Sequence, residues 1–413
     1  MALAPISSSE RVAVVDVLRG LALYGVLTAN LVWFYSGLEM LPPKGGQGMS
    51  LAGFYMGLFV SERAITTLTF LFGLGFSVQL ARADARGENV RGVFVRRLLA
   101  MLMFGVAHIL LLWWGDILWT YALVGFSLLW FRRYGVRALL AWAAILIFVP
   151  RLVVSVPEVR DAIMSVMPRP ADEAAFNAEM LAALASGDRG AMTWAHLQKV
   201  VYMESSIAAW FWPWVLGHFL LGMAAGKARL FERDGAERRR LFRWLLAIGI
   251  ALVVIAIAVL MTVPLGREAF RTMPLIAKLG LSMLRQLVTL GVVAIYVSAV
   301  VLLMQRQLPR RLLLLIAPVG RMPLTTYLSQ SLIATFVFYG WGLGWIGEVD
   351  MADGVAIAAG IFAVQVVIAN LWLRRFRSGP LEQLWRAITY RAPRAAPVAG
   401  ETAGGTSEAR TAA

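Results

Sequence analysis

RRLLAMLMFGVAHILLLWWGDILWTYALVGFSLLWF, residues Arg96 to Phe131, reads as two apolar helices joined by almost nothing. Arg96 and Arg97 stand at the entry, His108 lies well inside the first arm, Gly115-Asp116 makes the turn and Tyr121 follows inside the second. An ionisable group embedded in membrane-length apolar sequence is a functional candidate, because burying it unused is costly.

The rest of the 413 residues has the same character. Hydrophobic residues make up 60%, charged residues 15%, and mean hydropathy is +0.71. A soluble domain is nearer half apolar and a quarter charged, so the fold class is an all-α, polytopic membrane helix bundle. Runs long enough for a bilayer core number about ten, near 12–34, 64–82, 97–114, 117–131, 137–155, 207–226, 242–264, 279–304, 322–341 and 353–373. Leu51 to Val60 is too short to cross alone and is expected as an interfacial or re-entrant lead into the second span. No basic stretch precedes the first run, and no small-residue cleavage site closes it, so it is expected to be retained.

Charge orients these spans. The net charge of +15 is carried by arginines in every second loop: Arg82 to Arg97, Arg132 to Arg137, Lys227 to Arg240, Arg306 to Arg311 and Arg374 to Arg377. The intervening loops are neutral, mixed or acidic, as at Glu348, Asp350 and Asp353. An even number of spans with both termini cytoplasmic satisfies that alternation. The expected organisation is a bundle over 1–378 with an extracytoplasmic segment at 156–206 that is long enough for a small lid. A cytoplasmic interfacial helix at 379–391 and a disordered tail at 392–413 complete it. His196, in the outer segment, is expected in solvent, and His218, in the Trp-rich sixth span, is expected to pack.

The basic balance does not point to nucleic acid, since no nucleic-acid motif accompanies it. The absence of cysteine excludes disulfides and thiolate chemistry, and three scattered histidines argue against a metal. The expected partners are the lipid bilayer and a small-molecule or glycan acceptor. The oligomeric state is not legible.

His108 and Asp116 are the catalytic candidates. A neutral buried imidazole can take a proton from a hydroxyl or amine; the bland alternative is one interhelical hydrogen bond. Eight residues along a continuous helix is about 12 Å of rise, so the two meet only through a bend or a bridge, and Asp116 otherwise reads as a helix cap. Asp16 and Arg19, three apart in DVLRG, share a helix face and pair with each other or with phosphate groups of a lipid or cofactor, and Arg321 joins them as a cofactor-binding candidate. Asn30, Tyr121, Arg285, Thr325, Thr326 and Gln330 are the substrate-contacting candidates. Arg285 needs a carboxylate, carbonyl groups or water inside the membrane and is expected to face a cavity, with structural pairing to Asp116 as the alternative. Gly320-Arg321-Met322-Pro323 breaks the ninth span ahead of an unusually polar run, half of which can bond its own backbone.

Several blocks together resemble the YeiB-like family of bacterial multi-pass proteins of unknown function: DVLRGLALYGVLTAN (16–30), TLTFLFGLGFSVQL (67–80), the RRL…H…GDILWTYA hairpin, LGHFLLGMAAGK (216–227), GRMPLTTYLSQS (320–331) and GPLEQLWRAITY (379–390). The resemblance implies about ten helices and the inner membrane. That family is in turn similar to membrane acyltransferases that carry an acyl group from cytoplasmic acyl-CoA to an extracytoplasmic acceptor, through a shared D-x-x-R-G in the first span. Such enzymes place a catalytic histidine eleven residues after that arginine, or in the following loop. This chain has Asn30 there and no histidine in 35–63, so His108 would have to substitute. In that reading Arg19 and Arg321 hold the phosphates of acyl-CoA, which is a donor substrate and not a tightly bound cofactor. Asn30 and Thr326 orient the thioester, and His108 faces a wet cavity shared with those arginines and formed by spans one, three, eight and nine. A carrier of a small polar or lipidic solute using the same residues, or a scaffold with His108 sealed among apolar side chains, stays open beside it.

Overall fold

A computed structural model describes residues 12–41, 50–85, 90–168, 170–262 and 272–389. Among them are only helices and turns, as expected of apolar sequence whose backbone must be satisfied within each segment. α1 (Ala13–Asn30) continues as a π-helical turn to Tyr35. α2 (Leu51–Tyr55) runs through a second such turn into α3 (Ser61–Ala85). The hairpin is α4 (Val90–Leu111), α5 (Leu118–Gly125) and α6 (Leu128–Phe131), followed by α7 (Val136–Val153). Then come α8 (Pro157–Ser165), α9 (Glu173–Ala185), the 39-residue α10 (Arg189–Lys227) and α11 (Arg239–Thr262). The last part holds α12 (Leu275–Leu303), α13 (Gln307–Leu314), α14 (Ala317–Arg321), α15 (Pro323–Phe338), α16 (Met351–Arg375) and α17 (Pro380–Thr389).

Among the described residues, eight helices are long and apolar enough to cross a bilayer. The two other expected spans are shorter than the sequence suggests. The second arm of the hairpin breaks at Phe126-Ser127, and α15 has 16 residues because Pro323 cannot extend the helix behind it. Both still connect opposite ends of the bundle. Beyond α6, the carbonyls of Arg132 and Tyr134 accept from Lys227 Nζ at the end of α10, whereas the α4–α5 turn lies near Thr193, whose hydroxyl donates to the Leu110 carbonyl. α15 starts beside α1's Arg19 and ends where the Gly340 N–H donates to the Leu184 carbonyl.

One end of the bundle gathers the basic turns: the start of α1, Leu230–Phe242 and Met304–Ala317 share one apolar cluster. At the same end the Arg97 guanidinium lies 4.2 Å over the Trp385 ring and Arg96 Nε donates to the Thr389 carbonyl, which ties α17 to the start of α4. A helix therefore forms over the stretch expected to be interfacial, as far as Thr389. Residues 390–413, including the expected tail, lie outside the described residues.

Helix spacing at two crossings is set by missing side chains. A Cβ on Gly222 would strike the Phe70 carbonyl of α3, and one on Gly320 would strike the Asp16 carbonyl of α1. Small residues are what let apolar helices touch backbone to backbone.

The expected outer loop is mostly helix. α10 begins 18 residues before the apolar run at 207, since Asp188 caps it through the N–H groups of Gly190 and Ala191. Together with α9 it forms a cover over the hairpin turn, with a cavity of about 200 Å³ between the two, lined by Phe176, Met180, Trp194 and Ala195. His196, expected in solvent, is consequently buried in this cover at 2% exposure.

Candidate functional site

The helix carrying His108 ends one turn later. The N–H groups of Leu112 and Trp113 both donate to the His108 carbonyl, and the chain reverses through Gly115. That bend removes the 12 Å separation. Asp116 Oδ2 comes to 2.7 Å from His108 Nδ1, with both side chains fully enclosed. Asp116 Oδ1 accepts from the Trp119 N–H at 2.9 Å and so starts α5. One carboxylate both caps a helix and orients an imidazole, so the two readings of Asp116 are compatible. His108 Nε2 is buried without a hydrogen-bond partner.

The surroundings of this dyad differ from the expected wet cavity. The Tyr327 ring lies 5.3 Å and the Trp113 ring 6.2 Å from the imidazole. Behind Trp113 are Trp114, Tyr35 and Phe34, and the cover packs on them through Met180, Met192 and Ala195. The large aromatics flanking the Gly-Asp turn fold inward because the outer face is covered.

The remaining candidates fall into two other groups. At the basic end, Arg19 Nη1 donates to Asp16 Oδ1 at 3.0 Å and to the Gly320 carbonyl at 2.9 Å, bringing D-x-x-R-G against the G-R-M-P break. Arg321 sits at that break, and Thr325 is one turn on. The Thr325 hydroxyl and N–H, with the Leu324 N–H, are engaged by the buried Glu382 carboxylate of α17 at 2.6, 3.1 and 2.7 Å. This carboxylate engages Thr325, which was expected to contact the substrate. Arg285 lies elsewhere: its partner is Glu62 at 2.7 Å, not Asp116.

Other expected substrate contacts are committed to packing. The Tyr121 hydroxyl bonds Thr69 Oγ1, and its ring packs on Phe72 and Phe219. Thr326 Oγ1 donates back to the Val319 carbonyl, spanning the helix break. Gln330 Nε2 donates to Gln365 Oε1, joining α15 to α16. Asn30 ends α1 half-buried and makes no side-chain hydrogen bond. The expected single cavity is therefore three separate polar groups.

Sequence reasoning missed the cover's own polar residues. His196 and Lys199 lie one turn apart on α10. Lys199 Nζ is 3.1 Å from Glu39 Oε1 and 5.2 Å over the Trp114 ring, and the His196 ring is 6.1 Å from that of Tyr339. Burial lifts the Glu39 carboxyl above its ordinary value, with Lys199 pulling it back. The signal available was H-L-Q-K, whose i, i+3 spacing puts both residues on one face if 189–206 is read as helix.

The profile of the family described as "Protein of unknown function (DUF418)" matches residues 225–392, from the end of α10 beyond α17. The chain is 33% identical to "Uncharacterized protein YxaH" of Bacillus subtilis, over 94% of this chain and 96% of that one. It is 27% identical to "Uncharacterized protein YeiB" of Escherichia coli, over 93% and 97%. An uncharacterized 39.9 kDa protein of the amylase 3' region of Bacillus acidopullulyticus is also 27% identical, over 94% and 96%. No solved structure matches.

Proposed function

This chain belongs to the DUF418 family of YxaH- and YeiB-like membrane proteins, and from that premise we propose that it is an inner-membrane acyltransferase whose base is the Asp116–His108 dyad. The single observation that carries the reading is the 2.7 Å contact between Nδ1 and the carboxylate, with Nε2 left buried and unpartnered. A carboxylate on one ring nitrogen fixes the tautomer and stabilises the imidazolium, which leaves the other nitrogen to accept a proton.

In this reaction Nε2 takes the proton of an acceptor hydroxyl or amine. The acceptor atom forms a bond to the thioester carbonyl carbon, the carbon–sulfur bond breaks, and the thiolate leaves with the proton held on the ring. The donor's phosphates are assigned to Arg19 and Arg321 at the basic end, and the arginine alternation supports reading that end as cytoplasmic. The acceptor is a small molecule or glycan reaching the opposite end. Because the dyad is enclosed, α9 and the first half of α10 have to move for either substrate to enter. Acetyl-CoA is the first donor to test. Release of its thiol by the purified chain in lipid, lost in His108→Ala, supports the reading; release that survives the substitution defeats it.

Complete enclosure of both side chains favours a second reading. In an occluded carrier the same dyad binds and releases a proton as a polar solute passes. Solute-driven proton movement in sealed vesicles without thiol release selects that reading over the first.

A further inference from the structure

A third polar group lies apart from both the dyad and the basic end. Glu62 and Arg63 open α3, Arg151 closes α7, and Arg285 with Gln286 lies on α12. Arg151 grips Glu62 with two hydrogen bonds of 3.0 Å each, donates to Gln286 Oε1 at 3.1 Å and stacks 4.9 Å over Trp210. Arg285 adds a third bond to Glu62 at 2.7 Å, yet 64% of its side chain is exposed.

Glu62 is thus already satisfied, and two donors are left over inside the cluster. Arg63 is 7% exposed, feels the charges of Glu62, Arg285 and Arg151, and its buried Nε has no hydrogen-bond partner. Gln286 is 1% exposed, and its Nε2 also lacks a partner. Three guanidinium groups surround one carboxylate, so positive charge exceeds negative by two; Arg63, Arg151 and Glu62 are largely buried, while Arg285 stands open at the edge. Uncompensated charge of that kind inside apolar surroundings is strongly unfavourable.

We propose that Arg63, Arg285 and the Gln286 amide form a binding site for a phosphate group. A dianion matches the excess charge, and guanidinium forks match phosphate oxygens. Arg285 is the exposed entrance, Arg63 and Gln286 supply the inner donors, and Glu62 with Arg151 is the fixed frame. The phosphate comes either from a lipid headgroup at the bundle's rim or from a small solute. The site shares no residue with the dyad and does not rest on acyl transfer.

The test measures thermal unfolding of the full chain in neutral-lipid nanodiscs, with inorganic phosphate titrated in one arm and phosphatidic acid mixed into the bilayer in the other. Arg285→Gln is the working variant, since its side chain is exposed and its loss leaves the Glu62–Arg151 pair intact; Arg63→Gln is the second. Saturable stabilisation by inorganic phosphate supports the site with a solute source. Stabilisation by phosphatidic acid alone supports it with a lipid source. In either case Arg285→Gln weakens the effect about tenfold or more, the loss of one charge-assisted hydrogen bond. No stabilisation by either probe, or stabilisation unchanged in both variants, overturns the proposal.

Discussion

His108 Nδ1 and Asp116 Oδ2 stand 2.7 Å apart although eight residues separate them, because the helix ends at Leu111 and the chain turns back at Gly115. The same carboxylate holds the first turn of α5 through the Trp119 N–H. Geometry at the dyad and the start of the returning helix are therefore one feature. Asp116→Asn keeps an oxygen for the Trp119 N–H but not the charge that stabilises an imidazolium, whereas Asp116→Ala removes both. The expected outcome is near-native folding with loss of turnover for the first, and destabilisation of about 1–3 kcal/mol for the second, the cost of leaving the buried His108 Nδ1–H and the Trp119 N–H without their acceptor. Denaturant titration in micelles reads the stability of both variants, and thiol release from acetyl-CoA reads the turnover.

At the basic end, Gly320 meets the Asp16 carbonyl with no room for a Cβ. Gly320→Ala forces α14 away from α1 and loosens the Arg19 bond to the Gly320 carbonyl. A loss of about 1–3 kcal/mol is expected, as for other overpacked contacts. Gly280→Ala, where nothing lies within 4 Å, is the matched control and gains slightly from helix propensity. Equal unfolding midpoints for the two variants contradict this account of the crossing.

Glu382 reaches from α17 to cap α15 through two backbone N–H groups and the Thr325 hydroxyl. Glu382→Gln weakens three contacts to a helix start without changing side-chain length. The expected effect is about 0.5–2 kcal/mol, the range for a lost N-cap, together with faster proteolysis after Gly379 as α17 detaches. Unchanged protease sensitivity would place the hold on α17 in the Arg97–Trp385 stack instead.

Much of this was legible before the fold. Apolar runs give the bundle, arginine spacing gives the gathering of basic turns at one end, and D-x-x-R-G and G-R-M-P each announce a polar helix end. What could not be read was proximity. That Arg19 meets Gly320, 301 residues away, depends on two glycines in different helices. Arg285 meets Glu62 and not Asp116 because Glu62 lies at the start of α3, whose orientation toward α12 no local pattern encodes. His196 was misplaced because the hydropathy of 189–206 is that of a loop, while its helix is held by the Asp188 cap and by packing against α9. The enclosure of His108 is a tertiary property in the same sense.

A pH effect follows from the cover. With the Glu39 carboxyl lifted by burial, the folded chain holds that proton more tightly than the unfolded chain. Its contribution to stability is therefore complete below the ordinary carboxylate value of about 4.3 and is lost as pH rises through the raised folded value. Unfolding midpoints across that range are expected to fall in the wild type relative to Glu39→Gln. Parallel curves for the two would refute the assignment.

The central claim concerns one nitrogen atom, and nitrogen-15 NMR of the chain labelled in its three histidines, reconstituted in lipid, reads it directly. With His108 assigned by its loss in His108→Gln, the account predicts a proton on Nδ1 facing Asp116 and a lone pair on Nε2, whose shift moves when acyl donor and acceptor are added. A ring protonated on Nε2, or an Nε2 signal indifferent to every substrate offered, would contradict it.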